Sequence, residues 1–157
     1  MNTYVPDFKN IWLADDDADD RLVFEIAIKE IRPRSVITAA ANGKQLFELL
    51  RDCKALPDIL FLDLNMPYKD GKQCLRELRE KKTFDTISIV VYSNSDHIAH
   101  VNHAYGLGAN LYLRKPNRYS ELIKTLEDVL TLDWSDPKGI ANSHFVGNNY
   151  VPFRAEV

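Results

Sequence analysis

Three carboxylates, a hydroxyl and an ammonium group stand at the ends of short apolar runs in this chain. Asp15 and Asp16 follow Ile11-Trp12-Leu13-Ala14, Asp63 follows Ile59-Leu60-Phe61-Leu62, Ser93 follows Ile87 to Tyr92, and Lys115 comes just after Leu111-Tyr112-Leu113. A strand buried on both faces reads as such a run, and in open α/β folds the carboxyl ends of parallel strands are where ligands bind. Taken alone, Asp63 fits two readings: a reactive group, or a cap to the turn made by Asn65, Pro67 and Lys69-Asp70-Gly71. Brought together, the set has a definite chemistry. Like charges ~4 Å apart repel by about 4 kcal/mol at an effective dielectric of roughly 20, so without a counter-ion a carboxyl pKa must rise. A divalent cation relieves this, and hard oxygen ligands with water left in the shell suit Mg²⁺. Asp15 and Asp16 would hold it with Asp63, and the Asn65 backbone carbonyl would add a neutral oxygen. A carboxylate oxygen flanked by metal and Lys115 is an activated nucleophile towards a phosphoryl donor. The spread charge of the transferring group is what the metal, the Lys115 ammonium and the Ser93 hydroxyl would stabilise. Asp63 is the expected phosphoacceptor.

These groups meet only if the strands lie side by side. Strands are predicted at Ile11–Ala14, Val36–Ala40, Ile59–Leu62, Ile87–Tyr92 and Leu111–Leu113, each followed by a helical stretch. Asp17 and Asp20 look like a helix start. Asn42-Gly43 and Gly71 open the second and third helices, His97 to Tyr105 makes the fourth, and the fifth begins near Ser120. Strict alternation implies a parallel sheet with right-handed crossovers and helices on both faces. The fold class is therefore a doubly wound five-stranded parallel sheet, and in the order 2-1-3-4-5 the four strands with reactive ends are neighbours. The first helix carries two apolar stripes, Leu22-Val23-Ile26-Ala27 and Phe24-Ile28-Ile31. One stripe is expected to pack on the sheet and the other to be either extra core or a docking face, with Phe24, Ile28 and Ile31 the candidate for docking a phosphodonor. Residues 134–157, with Pro137, Gly139, Gly147 and Pro152, are expected to form an irregular tail, anchored by Phe145, Tyr150 and Phe153, after a domain at 1–133.

The 157 residues suffice for one domain with a proper core, and 45% apolar with 27% charged residues is ordinary for a globular protein. A net charge of −3 gives no support for a nucleic-acid partner. No apolar run reaches membrane-spanning length, and the segment after Met1 lacks the pattern of a signal peptide. Cys53 and Cys74 have no metal-ligand spacing and suit a reduced cytoplasmic interior.

Four motifs in fixed order, Leu13 to Asp17, Asp58 to Pro67 with Asp70-Gly71, Val90 to Ser93, and Gly108 to Pro116, resemble the receiver domain of two-component response regulators, CheY-like, across roughly residues 8 to 131. The resemblance implies phosphorylation of Asp63 by a sensor histidine kinase or a histidine phosphotransfer protein, and slow self-catalysed loss of the phosphoryl group. It also makes Ser93 and Tyr112 a switch pair: the hydroxyl moves to the phosphoryl group and the ring fills the space vacated. That repacks the face of the fourth helix, fifth strand and fifth helix, the usual output surface and a possible homodimer contact. Asn94 is larger than the residue usual after the switch hydroxyl. Asn117 stands where an aromatic often follows Lys-Pro, and Tyr119 is placed to supply the ring. The leading expectation is a stand-alone receiver that is not an enzyme beyond its own phosphorylation and dephosphorylation, with an unnamed protein as output partner.

Plainer readings stand beside these. Asp17, Asp19 and Asp20 read as a solvated helix start. His97, His100 and His103 recur every third residue, which is not the usual zinc spacing, and are expected to face solvent. A phosphorelay intermediate is the alternative within the family. An aspartyl-phosphate phosphatase is disfavoured because Asn65 stands where its general acid would be. A flavin site is disfavoured by carboxylates after the first strand, where phosphate-cradling residues belong.

Overall fold

The structure, a computed structural model, describes residues 7–155. The outer ends of the 1–133 and 134–157 divisions, and the start of the segment weighed as a signal peptide, lie outside the described residues. The elements are β1 (Asn10–Ala14), α1 (Ala18–Ile31), β2 (Val36–Ala40), α2 (Gly43–Asp52), β3 (Ile59–Leu62), α3 (Gly71–Glu80), β4 (Ser88–Ser93), α4 (Ile98–Gly106), β5 (Leu111–Arg114) and α5 (Tyr119–Leu130). The sheet is parallel with order β2-β1-β3-β4-β5, as the alternation requires. Register brings the reactive ends level: Ala14 pairs with Leu62 and Leu62 with Val91. The ladder runs one residue further, where the Asp63 N–H donates to the Ala14 carbonyl at 2.9 Å and the Lys115 N–H to the Ser93 carbonyl at 2.7 Å.

Side chains alternate across the central strands and fill two cores. Trp12, Leu60, Leu62, Ile89, Val91 and Tyr112 face one side with α2, α3 and α4. Ile11, Leu13, Phe61, Val90, Tyr92 and Leu113 face the other with α1 and α5. Local chemistry sets the helix starts. Asp17 caps α1 by accepting from the Asp19 and Asp20 N–H groups, and Asp70 with Gln73 forms a capping box on α3. A Cβ at Gly71 would lie 2.2 Å from the Asp63 carbonyl oxygen, so only glycine lets α3 start directly against the end of β3. Gly108 closes α4 with φ +107°. Ser120 does not cap α5; Arg118 holds that position without a side-chain bond.

Two expectations are overturned. In α1 the second stripe is core rather than a docking face, and the first is exposed except for Ala27. Phe24 and Ile28 are fully buried, whereas Leu22 is 58% and Ile26 50% exposed. The cause is the ring of Phe24, which meets Phe61 at 5.0 Å edge-on and Tyr92 at 5.8 Å, a contact the smaller stripe cannot make. A docking face of Phe24, Ile28 and Ile31 is therefore excluded. The stretch after α5 is also not irregular. It forms α6 (Pro137–Ser143) and an antiparallel hairpin of β6 (Phe145–Val146) and β7 (Asn149–Tyr150). Pro137 stands at the helix start behind the Asp136 cap. Gly147 (φ +59°) and Asn148 (φ +70°) form a two-residue turn of the kind hairpins favour. Trp134 is buried, Tyr150 stacks on Tyr105 at 4.5 Å and Phe153 packs on the α1–α5 core, but Phe145 is exposed and does not anchor.

Candidate functional site

The carboxyl ends of β1, β3 and β5 meet as the sequence predicts. Lys115 reaches back under the mouth of the sheet. Its Nζ lies 2.7 Å from Asp15 Oδ2 and donates to Asp20 Oδ2 at 2.9 Å and Asp63 Oδ2 at 3.1 Å. The same nitrogen sits 5.4 Å from the centre of the Tyr92 ring. Asp63 and Lys115 are buried, Asp15 is 0% exposed, and Asp16 is exposed. The carboxylates are aimed by backbone donors: Asp17 N–H to Asp15 Oδ1 and Asn65 N–H to Asp63 Oδ1, each at 3.0 Å. Above them opens a polar cleft of about 460 Å³, lined among others by Asp16, Asp20, Asp63, Asn65, Asn94 and Lys115.

Several carboxylates share one ammonium. Asp15 Oδ2 is fully buried and its close partner is the Lys115 ammonium at 2.7 Å, with no neutral N–H or O–H donating to it. Burial pushes the Asp15 carboxyl up to about 6, although Lys115 and the Asp17 N–H pull it down. Burial also works against the Lys115 ammonium, but the carboxylates of Asp15, Asp20 and Asp63 outweigh it and its pKa is raised. One oxygen each from Asp15, Asp16 and Asp63 lie within 4.8 Å of one another. Three carboxylate oxygens this close, beside a water-accessible cleft and sharing a single ammonium, are a donor set suited to a hard divalent cation. Asn65, whose carbonyl was the expected neutral ligand, lines the same cleft.

Ser93 and Tyr112 lie one layer away. Ser93 is buried at the end of β4, and its Oγ accepts the Ser95 N–H at 3.2 Å. Asn94, not Ser93, lines the cleft. Tyr112 is fully buried, and its hydroxyl donates to the Ser95 carbonyl at 2.6 Å. Ser95 thus joins the two, and its own hydroxyl lies 2.8 Å from His100 Nδ1. His97, His100 and His103 are exposed, as their spacing suggests.

Two participants escape the sequence reading. Asp20 is not merely solvated; three residues past the Asp17 cap it turns back over the strand ends onto Lys115. Its position in the first turn of a capped helix was a usable signal. Ser95 had none, because its role is carried by backbone groups.

A doubly wound sheet with two acidic residues after β1, a buried aspartate after β3, a hydroxyl after β4 and a buried lysine after β5 defines the receiver class. Residues 11–127 match the response regulator receiver domain, and the chain belongs to that family. It is 36% identical over 112 residues to the nitrate/nitrite response regulator NarL of Escherichia coli strain K12, covering 69% of this chain and 50% of NarL. The chain thus spans about half the length of that relative. It is 31% identical over 121 residues to the response regulator Rcp1 of Synechocystis, covering 73% of this chain and 81% of Rcp1. Among solved structures, the phosphorylated cyanobacterial phytochrome response regulator RcpA superposes with a TM-score of 0.72 at 27% identity, covering 78% of this chain and 91% of RcpA. Among the described residues no helix is long and apolar enough to cross a membrane.

Proposed function

We propose that Asp63 accepts a phosphoryl group from a phosphohistidine on a sensor kinase or phosphotransfer protein, and that the modified chain changes a protein-binding surface. The observation that carries this reading is the buried Asp63 carboxylate on an open cleft, 3.1 Å from the Lys115 ammonium and within 4.8 Å of oxygens of Asp15 and Asp16. A carboxylate oxygen of Asp63 bonds to phosphorus as the bond from phosphorus to the donor's imidazole nitrogen breaks. Lys115 stays charged throughout and faces the oxygens on which negative charge gathers. Asp15, Asp16, Asp63 and the Asn65 carbonyl would hold Mg²⁺, which supplies charge neutralisation between the carboxylates and the incoming phosphoryl oxygens. RcpA in phosphorylated form and Rcp1 in Mn²⁺-bound form are the supporting precedents from relatives. In the modified chain the Ser93 hydroxyl turns to the phosphoryl group, leaves the Ser95 N–H and shifts Tyr112.

The start of α1 walls one side of the cleft through Asp16 to Asp20, so a protein donor reaching Asp63 can rest on α1. Leu22, Val23 and Ile26 are the exposed apolar residues there, and they replace the stripe chosen from the sequence. Incubation with a small phosphodonor and Mg²⁺ should add one phosphoryl group by intact mass, and none after chelation or in Asp63→Asn. Equal uptake by Asp63→Asn would remove the proposal.

A further inference from the structure

The segment after α6 lies across an edge that the sheet leaves open. β5 is an edge strand, so the main-chain groups on its outer side need partners. The Tyr112 carbonyl accepts the Phe153 N–H at 2.8 Å. Upstream, Asn102 on α4 grips the hairpin at both ends of its amide, donating to Asn149 Oδ1 at 3.0 Å and accepting the Tyr150 N–H at 2.8 Å. Tyr150 stacks on Tyr105, and Val151 N–H closes back onto the His144 carbonyl. The stretch therefore leans on α4 and β5 through polar contacts and one stacked pair and on the α1–α5 core through Phe153, while the β6–β7 ladder itself is only two residues long on each side.

The residues it leans on are those wired to the site. The Tyr105 hydroxyl accepts the Tyr112 N–H at 3.0 Å, and the Tyr112 hydroxyl is held by the Ser95 carbonyl. The Ser95 N–H is in turn held by Ser93 Oγ. Every polar group of Tyr112 is thus committed: hydroxyl to Ser95, N–H to Tyr105, carbonyl to Phe153. A turn of the ring alone breaks the hydroxyl bond, and a shift that carries the β5 backbone with it breaks the bonds to Tyr105 and Phe153 as well. We propose that residues 144–155 form a strap that closes the β5 edge and the adjoining face of α4, and that lifts when Asp63 carries a phosphoryl group. This rests on the reading of Asp63 as phosphoacceptor. Phosphorylation then uncovers an open strand edge and the Asn102–Tyr105 surface of α4 for a protein partner, instead of only reshaping a surface already exposed.

The test follows backbone amide exchange in 144–155 by mass spectrometry, with acetyl phosphate and Mg²⁺, while intact mass reports phosphoryl uptake in the same sample. Phosphorylation should speed exchange at Tyr150 and Phe153 by about ten-fold or more. Asn102→Ala, outside the phosphoryl site, should show fast exchange before any phosphodonor is added, with little further increase. Full uptake with unchanged or slower exchange in the strap overturns this inference alone. Retained protection in Asn102→Ala shows that these contacts do not hold the strap and overturns it as well. A chain that takes up no phosphoryl group overturns the functional reading and the strap with it.

Discussion

Asp15 and Tyr112 are both fully buried, and their polar atoms are treated in opposite ways. Asp15 has one oxygen whose close partner is the Lys115 ammonium, itself shared with other carboxylates, in a setting that pushes its pKa up to about 6. Tyr112 has its hydroxyl, N–H and carbonyl all matched, each by a different neighbouring segment. Several carboxylates around one ammonium leave room for a further cation. A filled network whose partners lie on three separate segments marks a coupling point, because a shift of the β5 backbone at its centre disturbs all of them. The site region gathers charge around one ammonium; the β5 region has its polar groups matched by neutral partners.

The largest expected effect breaks the site side of that contrast. Lys115→Ala leaves the carboxylates of Asp15 and Asp63 buried without their cation, and should cost about 3–5 kcal/mol of stability at neutral pH, read by denaturant unfolding in chelator. Phe24→Ala should cost a similar amount, about 3–5 kcal/mol, while Ile26→Lys on the same helix stays within about 0.5 kcal/mol. That pair checks directly which stripe of α1 is core. Ile26→Lys should nonetheless slow transfer from a protein donor and leave acetyl phosphate effective.

Asp15→Asn runs the other way. Its carboxyl pKa is raised from 3.8 to about 6 on folding, so between those values the native chain holds the extra proton. Stability contributed by this group therefore falls as pH rises from about 4 to about 6, and the penalty is complete above that. Asp15→Asn should be more stable than the wild type by on the order of 2 kcal/mol at pH 7.5 in chelator, an advantage that fades as pH is lowered through 6 towards 4. Millimolar Mg²⁺ should raise the thermal midpoint of the wild type and not that of the variant. The smallest effect sharpens the β5 side: Tyr112→Phe, losing one hydroxyl bond to a carbonyl, should cost about 1 kcal/mol.

Strand ends were legible in the sequence because each buried run stops at a polar residue and the alternation fixes a parallel sheet. Asp15, Asp16, Asp63 and Lys115 are brought together where the apolar runs point. The orientation of α1 was not legible, since Leu22, Val23, Phe24, Ile26, Ala27, Ile28 and Ile31 surround much of the helix and periodicity selects no face. Only the ring contacts with Phe61 and Tyr92 decide it. Residues 134–155 misled for a different reason. Pro137, Gly147 and Asn148 read as breakers, yet a proline at a helix start and two left-handed residues in a hairpin are the chemistry those elements need. Ser95 was invisible because its part is played by its N–H and carbonyl.

The central claim is that Asp63 itself carries the phosphoryl group. Borohydride reduces an acyl phosphate to the alcohol, so treatment of the phosphorylated chain followed by peptide sequencing should place homoserine at position 63. Homoserine at Asp15 or Asp16, or a phosphoryl group retained on a hydroxyl after the same treatment, would contradict it.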